Sequence, residues 1–341
     1  MKKIVLDCLG GDNGLPAMLA GAVTALKRNP ELQLILVGDA GIIQPQVAEF
    51  GDRVEIIDTK VNITMDEHPT TAIRTKTDSS LVLGLNQLKT REDCGALVSA
   101  GSTGAVLTGG FMKIGRIAGV SRPALCPFLP TLIDGQEFML LDAGANMDCT
   151  AVHLVQFAVM ANEYKKATGM EKPRVALLNV GTEATKGNEV VKQAHALLVK
   201  LRDAGIINFV GNVEPYQAFN AEVDIVVADG FWGNVFLKTT EGSVKFVFKS
   251  LKQIIASSFS AKIGALFLGG KLKKFKAEKA DKTNATIFLG LKKSVVKMHG
   301  NADERKVVSA LEYAMTVADL NLNQRIEQAL AQVEPLLGEN A

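Results

Sequence analysis

Residues 175–187 read Val-Ala-Leu-Leu-Asn-Val-Gly-Thr-Glu-Ala-Thr-Lys-Gly, and beyond them apolar residues recur three and four apart from Glu189 to Lys200. An unbroken apolar run that ends in a polar residue, a glycine turn and an amphipathic helix is how a buried parallel strand passes into its crossover helix. The same order recurs at residues 4–6, 34–38, 96–99, 138–142 and 225–229, and residues 19–27 carry a second helical period. Strand and helix alternate, so the chain is predicted to be of the α/β class, a three-layer α/β/α sandwich.

The chain has 341 residues, long enough for a sizeable core, and it is read as one α/β/α domain over 1–341 with a peripheral element at 245–280. With 47% hydrophobic and 22% charged residues it is neither disordered, collagen-like nor a disulfide scaffold. Its formal charge of +2 argues against a whole-surface polyanion binder, and no nucleic acid partner is expected. Cys8, Cys94, Cys126 and Cys149 have no Cys-x-x-Cys spacing, which reads as reduced, buried thiols of a cytoplasmic protein. Asp7 and Asp12 cut short the apolar run after Met-Lys-Lys, and no run reaches the roughly 18 apolar residues of a span. The chain is expected to lie at most on a membrane.

Polar residues close the strands in a regular way. Asp7 precedes Gly10-Gly11-Asp12, Ser99 precedes Gly101-Ser102-Thr103-Gly104, and Asp142 precedes Gly144-Ala145-Asn146; Asn179 leads to Gly181 and Asp229 to Gly230. Open α/β sheets bind ligands beyond the carboxyl ends of their strands, so the five turns predict one site. Glycine turns that enter helices aim N–H groups and a helix dipole at one point, where phosphate binds. The competing reading is that the glycines only serve tight turns. No Gly-x-Gly-x-x-Gly or Walker pattern is present, so ATP and NAD are not indicated and no cofactor is expected. Ser102 lacks the Gly-x-Ser-x-Gly elbow and is read as an anion donor or a helix cap. The four histidines show no pair at ligand spacing, so no metal is expected, and only His299 follows a strand-like run. Lys186 is placed to meet a phosphate as a point charge, unless it is a solvated surface lysine. Asp229 is a cap, an acceptor or a site acid.

The composition changes between residues 245 and 279. Leu251, Ile254, Ile255, Phe259, Ile263, Leu266 and Phe267 recur at helical spacing, and Lys271, Lys273, Lys274, Lys276 and Lys279 follow. An amphipathic helix that ends at Gly269-Gly270 in a lysine cluster reads as a membrane-surface element or a docking face for an acidic partner. Ile254, Ile255, Phe259, Leu266, Phe267, Lys271, Lys273 and Lys274 are the contact residues of that reading. A core-packing helix with a solvated tail is the alternative.

Six segments together resemble the bacterial phosphate acyltransferase family, in its order and over nearly the whole chain. They are Asp7-Cys-Leu-Gly-Gly-Asp12, Ser99-Ala-Gly-Ser-Thr-Gly-Ala105, Leu141-Asp-Ala-Gly-Ala-Asn-Met-Asp148, Leu177-Leu-Asn-Val-Gly-Thr-Glu-Ala-Thr-Lys-Gly187, Asp229-Gly-Phe-Trp-Gly-Asn-Val-Phe-Leu-Lys238 and Gly290-Leu-Lys-Lys-Ser-Val-Val-Lys-Met-His-Gly300. Ser102 departs from the family's usual Asn, and Cys8-Leu9 from a small or apolar residue followed by Met. The resemblance implies a fold like that of isocitrate dehydrogenase and phosphotransacetylase, and a homodimer without metal or organic cofactor. It further implies peripheral attachment to the cytoplasmic membrane and transfer of a fatty acyl group from acyl-carrier protein to inorganic phosphate. The acyl phosphate would serve phospholipid synthesis, with a membrane glycerol-3-phosphate acyltransferase as a further partner.

Phosphate is already an anionic nucleophile, so such an enzyme must hold it against a thioester and stabilise an oxyanion; no triad is required. Lys186, Asp229 and Asn234 are assigned catalytic roles, with Lys186 neutralising charge and Asp229 orienting it or a phosphate oxygen. Asp7, Gly10, Gly11, Asp12, Ser99, Gly101, Ser102, Thr103, Gly104, Asn146, Asn179, Gly233 and His299 are assigned to phosphate or substrate. The alternatives are a phosphotransacetylase-like enzyme using acyl-CoA and a non-catalytic phosphate-binding scaffold at the membrane. A dehydrogenase lacks its fingerprint.

Overall fold

The computed structural model describes residues 2–275 and 285–337. Its strands are β1 (Lys3–Asp7), β2 (Leu34–Gly38), β3 (Val54–Asp58), β4 (Cys94–Ser99), β5 (Ala124–Cys126), β6 (Phe128–Pro130), β7 (Glu137–Leu141), β8 (Arg174–Leu178), β9 (Asn208–Val213), β10 (Ile225–Val227), β11 (Ala285–Leu289) and β12 (Ser294–Met298). All six strands expected from the apolar runs are present, the last shortened so that Ala228 and Asp229 lie beyond it.

The chain read as one domain divides into two compact units. The first comprises Met1–Cys126, Val159–Glu171 and Asn284–Ala341, and the second Pro127–Ala158 and Lys172–Thr283. Each has its own sheet, ordered β3-β2-β1-β4-β12-β11-β5 in the first and β6-β7-β10-β8-β9 in the second. Both are α/β layered structures, because their central strands are covered on both faces.

In the first unit β2 and β4 are buried at every position, where a sheet with one wet face would alternate. The covering helices include Gly14–Arg28, Ser80–Thr90 and Glu304–Ala318. Gly21 lets the first and last of these pack closely, since a Cβ there would stand 2.4 Å from that of Val307. β2 lies on one side of β1 and β4 on the other, all parallel, which makes the β1/β4 boundary a topological switch point. β12 adds in parallel to β4, while β11 and β5 run antiparallel at the far edge.

In the second unit β7, β10 and β8 are adjacent and parallel, and β9 continues the sheet beside β8. Asn188 caps the helix Glu189–Asp203 by accepting from the Val191 N–H at 2.9 Å, so the periodic segment read from sequence starts at its expected residue.

The basic, apolar segment differs from its expected form. It is two helices, Gly230–Ala256 and Phe259–Phe275, and the second continues through Gly269-Gly270. Serines make the break: the Ser257 hydroxyl donates to the Ile254 carbonyl, and the Ser258 hydroxyl accepts from the Ala261 N–H to begin the next helix. Phe259, Leu266 and Phe267 are each about four-fifths exposed, and Ile254 is 62% exposed. Within the described residues these side chains do not pack into a core. Lys276 and Lys279 lie outside the described residues, and no described helix is long and apolar enough to cross a membrane.

Candidate active site

In the first unit the turns after β1, β4 and β12 meet at one edge of the sheet. The Asp12 N–H donates to the Gly300 carbonyl at 2.7 Å, and the Asn13 amide donates to the Ala302 carbonyl at 2.9 Å. Gly11 has φ +87°, and a Cβ there would come within 2.8 Å of both Ala100 Cβ and the Gly300 oxygen, so glycine is required.

Asp7 and Ser99 stand beneath these turns. The buried Asp7 carboxylate accepts from the Ser80 and Ser99 hydroxyls, each at 2.6 Å, and from the Leu9 N–H at 3.3 Å. Ser99 Oγ in turn accepts from the Gly101 N–H at 3.0 Å, which occupies that donor. Asp7 and Ser99 therefore position the loops. Ser102 is a helix cap, its hydroxyl accepting from Ala105 N–H at 3.2 Å. Thr103 and Gly104 begin that helix and carry N–H groups that helix geometry leaves without an intrahelical partner. His299 is exposed at the end of β12.

Burial holds the Asp7 carboxyl above the usual carboxylate range despite the two hydroxyls. Its native pKa then exceeds its unfolded one, so the favourable balance present below the unfolded pKa is lost as pH rises towards the native value. An Asp7→Asn chain lacks this loss. Urea unfolding of both chains at a series of pH values from about 3 upward should show the stability difference moving in the variant's favour until Asp7 is ionised. A difference independent of pH would mean that the carboxyl titrates normally.

In the second unit the buried Asp142 organises the turn after β7. One carboxylate oxygen accepts from the Gly144 and Ala145 N–H groups, and the other from the N–H and side-chain amide of Asn146, at 2.6–3.2 Å. The Asn146 carbonyl accepts from the Gly230 N–H at 2.8 Å, which docks the start of helix Gly230–Ala256 on this turn. The approach is so close that a Cβ on Gly233 would stand 1.8 Å from the Asp142 carbonyl oxygen. Gly233 is thus a contact residue of the fold: its N–H donates to the Asp229 carbonyl inside the helix and is not free for phosphate. Asn234, half-buried beside Gly144, makes no side-chain hydrogen bond among the described residues.

Asp229 caps this helix through the Trp232 N–H at 2.8 Å, and partial burial, with the nearby Asp148 carboxylate, raises its pKa. Of the alternatives open for it, the geometry supplies the cap; no Asp229–Lys186 ion pair occurs among the described residues. Lys186 is exposed in the turn between β8 and helix Glu189–Asp203. Its stem runs over Gly181, where a Cβ would come within 3.2 Å of Lys186 Cγ. Asn179 ties the turn together, its amide donating to the Lys186 carbonyl at 3.1 Å and its oxygen accepting from the Val180 N–H at 2.8 Å.

Beside this turn opens a cavity of about 420 Å³, lined by Asn179, Gly187, Val191, Trp232, Val235 and Phe236 among others. Sequence reasoning missed it, together with Ser80 and the bracing role of Asp142. Asp142-x-Gly144-x-Asn146 carries a local signal, a carboxylate followed at short range by N–H donors. Ser80 and Trp232 carry none, since only the fold brings them to their partners. Of the five turns, those after β1 and β4 follow strands of the first sheet and those after β7, β8 and β10 follow strands of the second. Three of the four cysteines are buried, and Cys149 is partly exposed.

A phosphotransacetylase of Streptococcus pyogenes superposes with a TM-score of 0.60 at 16% identity, over 96% of this chain and 94% of that one, which shows a shared α/β fold. The family model described as fatty acid synthesis protein matches residues 2–325. The phosphate acyltransferase of Shouchella clausii is 42% identical over 332 residues, 96% of this chain and 98% of that protein. The phosphate acyltransferase of Bacillus subtilis is 39% identical, over 97% and 98%. The chain belongs to this family, the bacterial phosphate acyltransferases, which are acyl-transfer enzymes.

Proposed function

We propose that the protein moves a fatty acyl group from the thioester of an acyl-carrier protein to inorganic phosphate, giving an acyl phosphate for phospholipid synthesis. The observation that carries this reading is an exposed lysine turn, at Lys186, that borders an apolar cavity. A phosphate oxygen attacks the thioester carbonyl, the C–O bond forms as the C–S bond breaks, and the thiol leaves as thiolate. With a thiol pKa near ~8.5 the leaving group needs little acid help. Lys186 neutralises phosphate or transition-state charge, and the Asn234 amide, without a side-chain hydrogen bond among the described residues, serves as a donor to developing negative charge. The N–H groups of Thr103 and Gly104 are anion donors of the first unit. Asn146 and Asn179 hold the turns of the second unit in place.

The lysines at 271, 273 and 274 suit an acidic carrier protein, and the same proposal includes a homodimer that hands acyl phosphate to a membrane glycerol-3-phosphate acyltransferase. A second reading, an acyl-CoA donor, is favoured by the phosphotransacetylase fold. Hydroxylamine trapping with palmitoyl-carrier protein and palmitoyl-CoA at equal concentration separates the two. The carrier donor should give the higher kcat/KM and the steeper fall when Lys271, Lys273 and Lys274 are changed to Glu. A faster CoA reaction, indifferent to those changes, would remove the carrier.

The exposed apolar face of helix Phe259–Phe275 is proposed to lie on the cytoplasmic membrane surface. Burying a large apolar side chain is worth about 1.5–3 kcal/mol, so Leu266→Asp with Phe267→Asp should weaken flotation with anionic vesicles by at least tenfold. Equal binding of both proteins would remove the membrane contact.

A further inference from the structure

We infer that the cavity beside the Lys186 turn holds the acyl chain of the donor, and that Val191, Trp232 and Val235 set the chain length it accepts. The inference rests on the acyl-transfer reading above and names what that reading leaves open, the place of the hydrocarbon. A volume of about 420 Å³ lies within the size range of small-molecule sites.

The cavity lining is largely apolar, with Asn179, Asn188 and Thr239 as its polar members. Asn179 and Gly187, the residues that brace and close the Lys186 turn, are part of this lining, so the cavity adjoins the turn where a reacting carbonyl belongs. Val191 enters from helix Glu189–Asp203, less than one turn beyond its Asn188 cap. Trp232, Val235 and Phe236 lie three and four apart on helix Gly230–Ala256 and so share one face. Phe236 is 8% exposed, with its ring 6.2 Å from Phe138 and 5.7 Å from Phe219, which gives the cavity an immobile aromatic floor. The upper wall is wet: Val180 is 79%, Trp232 54% and Val235 43% exposed. Apolar walls open to water around a closed floor gain most from an extended hydrocarbon, and none of the described residues that line the cavity is charged.

Trp232 is the chain's single tryptophan, which makes occupancy readable without any turnover. The test is quenching of its fluorescence in the full chain by 12-bromododecanoate, without phosphate or carrier. Quenching should saturate, should require more than a hundredfold higher concentration of 4-bromobutyrate, and should weaken at least tenfold in Val191→Phe with Val235→Phe. The same double variant should lose at least tenfold more kcat/KM with dodecanoyl than with butyryl donors.

Absence of saturable quenching, or equal losses at both chain lengths, would overturn the assignment. So would quenching that fades as protein concentration rises and a dimer forms, because the face would then belong to a second copy. Saturable quenching without acyl phosphate from any donor would leave the cavity assignment standing and remove the reaction. Acyl phosphate without quenching would do the reverse.

Discussion

Replacing Lys186 with alanine should lower kcat/KM for acyl phosphate formation by roughly 10²–10³-fold, the cost typical of losing one charged or oxyanion-stabilising group. The side chain is exposed in its turn, so the fold does not depend on it and unfolding stability should move by less than about 0.5 kcal/mol. The turn itself is kept by Asn179, which bonds the Lys186 carbonyl and not its amine. Arginine at this position should restore only part of the activity, since a planar fork replaces a point charge. Initial rates across phosphate concentrations separate the possible roles. A rise in the KM for phosphate alone would mean ground-state binding, whereas a fall in kcat assigns the lysine to the transition state. Loss of less than threefold would take Lys186 out of the mechanism.

Gly233→Ala should be the most damaging single-methyl change in the second unit. Its Cβ would be placed 1.8 Å from the Asp142 carbonyl oxygen, and the obstacle is backbone held by the turn that Asp142 organises. Relief requires helix Gly230–Ala256 to lift from residues 142–146 and to break the Gly230–Asn146 bond. A loss of more than about 3 kcal/mol is expected, seen as a Tm lower by more than about 5 °C or as failure to accumulate soluble protein. Gly242→Ala in the same helix is the control. A Cβ there meets nothing within 4 Å, so the change should stabilise by up to about 1 kcal/mol through helix propensity. Equal behaviour of the two variants would show that the close approach at Gly233 does not hold the helix.

The architecture was legible wherever burial left a mark on a continuous stretch. Apolar runs such as 34–38 and 96–99 are buried at every residue and can be read locally, because parallel strands covered on both faces do not alternate. β3, half-buried along its length, and the three-residue β5 and β6 leave little pattern to read. The turns that carry Lys186, Ser102 and Asp229 were also visible, since glycines and caps act on their own neighbours. Their partners were not. Neighbours in a sheet are set by long-range pairing, so nothing in the sequence says that β10 lies between β7 and β8 or that the five turns divide between two sheets. For the same reason Asp7 reads as a phosphate- or substrate-binding residue, although Ser80 and Ser99 hold it below the surface. The break at Ser257-Ser258 was hidden by an apolar period that runs on across it, while serine back-bonding interrupts the helix.

The central claim is that phosphate is the acyl acceptor. Its most direct test is to incubate the full chain with palmitoyl-carrier protein, with and without inorganic phosphate, and to trap the product with hydroxylamine after the remaining thioester is removed. Hydroxamate should require phosphate, grow in step with free thiol, and fall at least a hundredfold in Lys186→Ala. Thiol release without a phosphate-dependent hydroxamate, or no reaction with either carrier or CoA donor, would contradict it.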